Sequence, residues 1–220
     1  MPTSRHERAL RQAGFGAIAG VDEAGRGALF GPVFAAAVVL DPARAIRGLD
    51  DSKALEPERR AVLAERIRER ARAFAVAAAD AFEIDRWNIL EASRIAMRRA
   101  VERIAGRCDH LLIDAITVNV PLPQTSLIHG DARSFSIAAA SILAKVARDQ
   151  ALACWDQVFP QFGLRSNKGY GTPDHLSALD RFGPTALHRF SFEPVRTRYK
   201  LQIWTGYPQL HAQGELFACL

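Results

Sequence analysis

Residues 17–40 read AIAGVDEAGRGALFGPVFAAAVVL. Two apolar runs, 17–21 and 33–40, have the length of buried strands. The first stops at Asp22-Glu23 and enters the glycine-rich turn Gly25-Arg26-Gly27. A link this short favours an antiparallel pair, because parallel neighbours need a crossover of about a dozen residues or more.

Working outward, 57–72 reads as a surface helix. Pro57 suits its first turn, Leu63 and Ile67 share a face, and Glu65/Arg68 and Glu69/Arg72 pair at i,i+3. A third strand is expected over 74–82. Asp85 is placed to cap a helix through Ala105, with Leu90, Met97, Val101 and Ile104 on one face and Gly106 as its stop. Short buried strands are expected at 111–116 and 126–129, and a long Ala-rich helix at 136–155. Beyond Pro160, glycines and prolines cut the chain into short helices. The expected fold class is therefore α/β: a mixed sheet opening with a hairpin, then alternating with helices, and followed by a small helical C-terminal appendage.

With 220 residues the chain can hold one sizeable core, or one core and a small addition. Its 49% hydrophobic and 24% charged residues exclude a mainly disordered chain, a collagen-like repeat and a disulfide scaffold. The longest apolar run, 33–40, is far short of the roughly 20 residues of a membrane-spanning helix. The polar, basic segment 1–12 has no apolar stretch behind it, which argues against a secretory signal. Three cysteines without a CxxC pair suit a reducing, cytoplasmic location. Lys and Arg exceed Asp and Glu by 29 to 24, a net charge of +5. Within 160–204, Arg165, Lys168, Arg181, Arg189, Arg196, Arg198 and Lys200 outnumber Asp174, Asp180 and Glu193. Aromatics such as Phe162, Tyr170, Phe182 and Phe190 are interleaved with them. This texture suits a nucleic-acid surface, and equally a solvated basic face over a small aromatic core.

Acids stand where acids are expensive. Asp22 and Glu23 end an apolar strand, Asp114 lies within another, and Asp131 follows Gly130 directly before a helix. A buried carboxylate must be paired, hydrogen-bonded or metal-bound. If the first and fourth strands are neighbours, their ends bring these acids into one pocket, where like charges repel unless a cation sits among them. Oxygen ligands suit Mg²⁺ or Mn²⁺, and without a His/Cys cluster zinc is disfavoured. Asp131 also reads as a plain helix N-cap. The glycines of Gly25-Arg26-Gly27 allow close approach of a ligand to exposed backbone. The segment is neither a dinucleotide fingerprint nor a P-loop.

These stretches resemble one family. GVDEAGRGALFGPV (20–33), LDDSKAL (49–55), LLIDA (111–115), HGDARSFSIAAASILAKVARD (129–149), NKGYGTPDH (167–175) and HRFSFEPV (188–195) are similar, in order, to ribonuclease HII. The resemblance implies a ribonuclease H-like five-stranded mixed sheet flanked by helices. The catalytic core would span 1–158, a helical basic subdomain 159–204, and a tail 205–220. The implied activity is cleavage of RNA in RNA–DNA hybrids and incision of duplex DNA 5′ of an embedded ribonucleotide, leaving 3′-hydroxyl and 5′-phosphate ends. Asp22, Glu23, Asp114 and Asp131 would be the catalytic, metal-binding acids, serving two Mg²⁺ or Mn²⁺ ions. Gly25, Arg26 and Gly27 would read the 2′-hydroxyl through backbone groups, with Tyr170 on the sugar of the next nucleotide.

Lys53, Lys145, Arg148 and Lys168, aided by Ser52, are expected to hold phosphates. Lys145 and Arg148 read alternatively as surface charges of a long helix. Some relatives carry glutamate where this chain has Ser136, which bears on the choice of metal. At the C-terminus, Gln213-Gly214-Glu215-Leu216-Phe217 resembles a sliding-clamp-binding pentapeptide, or else a tail that packs on the body. A monomer is expected. Two competing classes remain. A non-catalytic nucleic-acid-binding module accounts only for the basicity. Another two-metal nuclease of this fold, acting on DNA junctions or RNA duplexes, would need neither Gly25-Arg26-Gly27 nor Tyr170.

Overall fold

The apolar runs become the strands of one sheet in the computed structural model, which describes residues 2–199. The strands are β1 (Ile18–Ala24), β2 (Val33–Val39), β3 (Ala73–Ala79), β4 (His110–Asp114) and β5 (Gln124–Leu127). Their order is β3-β2-β1-β4-β5. The expected hairpin is present, β1 and β2 pairing antiparallel with Val21 opposite Ala37. β3 extends it antiparallel, whereas β4 and β5 join in parallel. The expected mixed five-stranded sheet is thus observed.

Helices cover both faces: α1 (Arg5–Gln12), α2 (Pro57–Arg70), α3 (Ala81–Trp87), α4 (Ile89–Arg103), α5 (Phe135–Val158), α6 (Leu164–Asn167), α7 (Pro173–Phe182) and α8 (Val195–Arg198). Strand alternation divides the core between the two faces. Val33, Ala35, Ala37 and Val39 pack with Ala92, Ala96, Met97 and Ala100 of α4. Ala36 and Val38 pack with Leu63 and Ile67 of α2 and with Ala139, Ala140 and Leu143 of α5. The alanines bring α5 close to the sheet. At Gly20 the approach is closest, and a Cβ there would fall on the carbonyl of Ser136.

The structure corrects several expected boundaries. The helix expected from Asp85 to Ala105 is two helices. Asp80 caps α3 in a capping box with Glu83, which also ends β3 at Ala79 and places Phe82 in a helix. Asn88, at φ 68°, breaks the chain and caps α4 by accepting from the N–H groups of Leu90 and Glu91. Asp85 instead accepts from the backbone N–H groups of Phe190 and Ser191. β4 ends at Asp114 because Ala115 takes a left-handed φ of 55°. Segment 1–12, read only as polar and basic, contains α1. Its buried Glu7 accepts from Ser134 Oγ at 2.7 Å and from the Ser136 N–H at 2.9 Å, serving the first turn of α5 from a separate helix.

The C-terminal short helices gather around Phe30, Leu152, Phe162, Leu164, Leu179 and Val195. Backbone bonds lace them to the turn after β1. The N–H of Leu29 donates to Gly169 O, that of Gly31 to Leu187 O and that of Arg189 to Leu29 O, each at 2.8 Å. Among the described residues no helix is long and apolar enough to cross a membrane.

Candidate active site

Register builds the site. β1 and β4 run parallel with Val21 beside Ile113, so the residues that follow, Asp22 and Asp114, lie side by side at the same strand ends. Asp22 is buried, with its Oδ1 accepting from the Glu23 N–H at 2.7 Å. It also takes a hydrogen bond from Ser141 of α5, whose hydroxyl lies 2.9 Å from that of Ser52. Asp114 Oδ1 accepts from the Gly130 N–H at 2.7 Å. Asp131, next along, is buried within the 3-10 turn Gly130–Ala132. It accepts from the Ala132 N–H, but it is Ser134 that caps α5. The N-cap reading of Asp131 is therefore corrected: one 3-10 turn separates it from the helix.

Electrostatics ties the acids together. Burial, then the charges of Glu23 and Asp114, pushes the Asp22 carboxyl well above the usual range. Glu23 is raised by burial and by Asp114, against the pull of Arg26, whose guanidinium lies 3.3 Å away. Asp131 is raised by burial, then by Asp51 and Asp114. Exposed Lys53 answers this field. Burial opposes its charge, but Asp51, Asp131, Asp22 and Asp114 together raise it.

The donor set is oxygen only, and Glu23 Oε2 is buried without a hydrogen-bond partner. Both features fit a hard divalent cation. Among the described residues, no three His, Cys, Asp or Glu side chains converge tightly enough to enclose an ion. The acids feel one another's charge without closing onto a single point.

The turn lies beside the acids. Gly25 is buried and Arg26 and Gly27 are exposed. A Cβ on Gly27 would stand 3.7 Å from the Tyr170 ring, so the turn and the 42%-exposed tyrosine are neighbours. Beneath them lie two guanidiniums. Arg189 donates to the carbonyls of Gly25 at 2.8 Å, Arg26 at 2.7 Å and Gly31 at 2.9 Å. Burial, then the charge of Arg148, pushes Arg189 down to about 9.

Arg148 is 1% exposed. It donates to Lys168 O at 2.9 Å, lies 5.6 Å from the Tyr170 ring centre, and would be struck by a Cβ on Gly25. This corrects the surface-charge reading of Arg148: its guanidinium is buried and backs the turn from below, with Nε and Nη1 free of hydrogen-bond partners. Lys145 pairs with Asp149 at 2.5 Å, and burial lowers it. Lys168 is half-buried at φ 54°. Ser52 is buried, its carbonyl accepting from Arg60 at 2.9 Å.

Sequence reasoning missed Asp51, Ser141, Arg60 and Arg189. Asp51 sits in LDDSKAL beside residues that were read, so its motif position was a usable signal. Arg189 was counted only as part of a basic surface, and nothing in its neighbourhood marks a buried arginine.

The ribonuclease HII family model matches residues 19–195. The ribonuclease HII of Solibacter usitatus (strain Ellin6076) is 59% identical over 197 residues, covering 90% of this chain and 86% of that protein. Among solved structures, the PCNA:RNase HII complex from Archaeoglobus fulgidus matches with a TM-score of 0.69 at 26% identity, covering 80% of this chain and 95% of that one. Bst-RNase HIII in complex with Mn²⁺ shares the fold, with a TM-score of 0.63 at 20% identity, covering 86% and 70%. The extent of the family match, together with acids aligned by strand register beside the glycine turn, establishes that this chain belongs to the ribonuclease HII family, ribonuclease H-type endonucleases that depend on divalent metal.

Proposed function

We propose that this protein cleaves the RNA strand of RNA–DNA hybrids and incises duplex DNA on the 5′ side of an embedded ribonucleotide. The products are 3′-hydroxyl and 5′-phosphate ends. The observation that carries this reading is the adjacency of the acid cluster to Gly25-Arg26-Gly27 and Tyr170, which joins a hydrolytic centre to a device able to touch a ribose. Another two-metal nuclease of this fold would account for the acids but would have no use for that pairing.

Asp22, Glu23, Asp114 and Asp131 would hold two divalent ions, Mg²⁺ or Mn²⁺. When such ions are bound, water is acidified for attack and charge on the leaving 3′-oxygen is stabilised. The protein's own groups then have separate tasks. The Gly130 N–H fixes the rotamer of Asp114, and the hydroxyl of Ser141 fixes that of Asp22. Backbone groups of Gly25, Arg26 and Gly27 and the Tyr170 hydroxyl face the 2′-hydroxyl, which alone separates ribose from deoxyribose. Lys53, whose positive charge the field of the acids favours, and Lys168 hold phosphates.

Arg26 is bound to Glu23 in the free protein, so substrate and ions compete for that ion pair. The segment Gln213–Phe217 lies outside the described residues. We propose it as a sliding-clamp anchor, in keeping with the clamp complex of the archaeal relative. A pull-down with the 213–220 deletion tests it, retained clamp binding refuting it. The main test compares wild type with Tyr170→Phe on a hybrid, on a duplex with one ribonucleotide and on an all-DNA duplex. Reduced discrimination with retained stacking supports the reading, and unchanged discrimination for ribose removes Tyr170 from it.

A further inference from the structure

His175 and His188 are both 0% exposed, and neither belongs to the acid cluster or to the turn. Their rings are hydrogen-bonded in a way that fixes every proton. The Thr185 N–H donates to His188 Nδ1 at 2.9 Å, so that nitrogen carries no hydrogen. At the other end, His175 Nδ1 lies 2.9 Å from the Tyr170 carbonyl, which can only accept, so His175 Nδ1 is protonated. The two Nε2 atoms are 3.2 Å apart, and one must donate to the other. A neutral pair satisfies all three contacts in one arrangement only: His188 Nε2–H donates to His175 Nε2. A directed chain therefore runs from Thr185 through His188 and His175 to the backbone of Tyr170. Burial supports the neutral state, lowering His175 and pushing His188 down to about 3, with His175 the second cause for His188.

The pair also reaches the segment that follows the glycine turn. His188 bridges in antiparallel register to Phe30, and its ring packs edge-on against Phe30 at 4.9 Å and at a steep angle to Phe162 at 4.8 Å. The neighbouring residue, Arg189, is the one that holds the carbonyls of Gly25 and Arg26. Tyr170 itself is held mainly through its backbone. Its N–H donates to Asn167 O at 3.0 Å, and its carbonyl receives the Thr172 N–H at 2.8 Å as well as His175. Its half-exposed ring has Arg148 and Gly27 as neighbours. Where the ring stands relative to Gly25-Arg26-Gly27 therefore depends on the segment that His175 and His188 tie down.

We infer that His175 and His188 are a positioning pair that sets Tyr170 against the Gly25-Arg26-Gly27 turn, and so tunes recognition of the ribose without touching substrate. The inference rests on the proposed ribose-reading role of Tyr170, and the test separates the two. Asparagine at 175 places an amide N–H near the Nδ1 position and keeps the donor to Tyr170 O. Glutamine places its amide near Nε2 and loses that donor.

On a duplex with one ribonucleotide, His175→Gln is expected to lower kcat/KM about tenfold, the loss of one buried hydrogen bond acting through position. His175→Asn should recover to within about threefold of wild type on the same reasoning. In a Tyr170→Ala background neither change should matter further, because the residue they position is gone. Equal losses in both variants, or an undiminished loss in Tyr170→Ala, would overturn the inference. Nitrogen-15 NMR of the histidine rings and carbon-13 shifts of the Tyr170 ring need no nuclease activity. His175 as the Nδ1–H tautomer, His188 as Nε2–H, and a Tyr170 ring shifted by His175→Gln but not by His175→Asn are the expected results. The opposite tautomers, or an unmoved ring, would refute the positioning pair even if the wild type cuts as proposed. A wild type that fails to cut while the NMR results hold would refute the ribose-reading role alone.

Discussion

The Gly130 N–H donates to Asp114 Oδ1 at 2.7 Å, so one hydrogen bond ties the acid ending β4 to the residue directly before Asp131. Two acids far apart in sequence are thereby fixed to each other before any ion or substrate arrives. A Cβ at Gly130 would press on Ile137 Cδ1 and come to 3.3 Å from Asp114 Oδ1. Gly130→Ala should therefore lose activity at least about tenfold, with destabilisation of about 1–3 kcal/mol from local overpacking. Urea denaturation and cleavage kinetics on the same preparation check this. Wild-type cleavage would show that the added methyl is absorbed without moving Asp114.

Burial and two neighbouring acids oppose the negative charge of Asp22. Without added ions, that makes it a liability to the fold and an asset only to the chemistry. In EDTA, Asp22→Asn should raise stability by on the order of 1 kcal/mol, since it removes like-charge repulsion at little change of shape. Cleavage should fall to background. A lower urea midpoint in EDTA would mean that the hydrogen bonds to the carboxylate outweigh the repulsion.

Arg189 serves three backbone carbonyls with one planar fork and has no carboxylate partner among its hydrogen bonds. Lysine cannot span the same acceptors, and each carbonyl left without a donor costs about 1–3 kcal/mol. Arg189→Lys is expected to destabilise by that order and to release the Gly25-Arg26-Gly27 turn. Hydrogen exchange of the amides of residues 25–31 should accelerate. Unchanged exchange would show that the turn is held by its other contacts.

His188 titrates near 3 in the fold against an ordinary value near 6.5. The unfolded chain therefore takes up this proton first. The stability it contributes is present above about pH 6.5 and is lost as pH falls toward 3, by about 1 kcal/mol for each pH unit. Asp22 works in the opposite sense, because its raised value favours the fold once it is protonated. The difference between wild type and His188→Gln isolates the histidine. On going from pH 7 to pH 5 the wild type should lose more stability, by urea midpoint, than the variant does. Parallel shifts in the two proteins would contradict a buried neutral His188.

The hairpin and the long α5 were legible because each rests on an unbroken run of one character: 33–40 is wholly apolar and 136–155 is rich in alanine. The division of 33–39 between the two faces was not, because all seven residues are apolar. The acids were legible because carboxylates that follow apolar strands need an explanation. Boundaries failed where side-chain chemistry overrode the pattern. Asp80 and Asn88 split an apparent single helix by capping two, and Ala115 ended β4 early through its φ of 55°. The framework beneath the turn was illegible for a different reason. Arg148 and Arg189 look like surface charges in a basic segment, and only the tertiary fold shows them buried against backbone carbonyls. Glu7 was hidden likewise, since its partners Ser134 and Ser136 lie more than half the chain away.

The central claim is that one acid cluster, reached past a ribose-reading turn, cuts only where ribose is present. Its most direct test is incision of duplex DNA containing a single ribonucleotide, with and without Mg²⁺ or Mn²⁺, beside an all-DNA duplex and the Asp114→Asn variant. The account predicts a metal-dependent nick on the 5′ side of the ribonucleotide, absent from the all-DNA duplex and lost in the variant. Cutting of the all-DNA duplex, or full activity in Asp114→Asn, would contradict it.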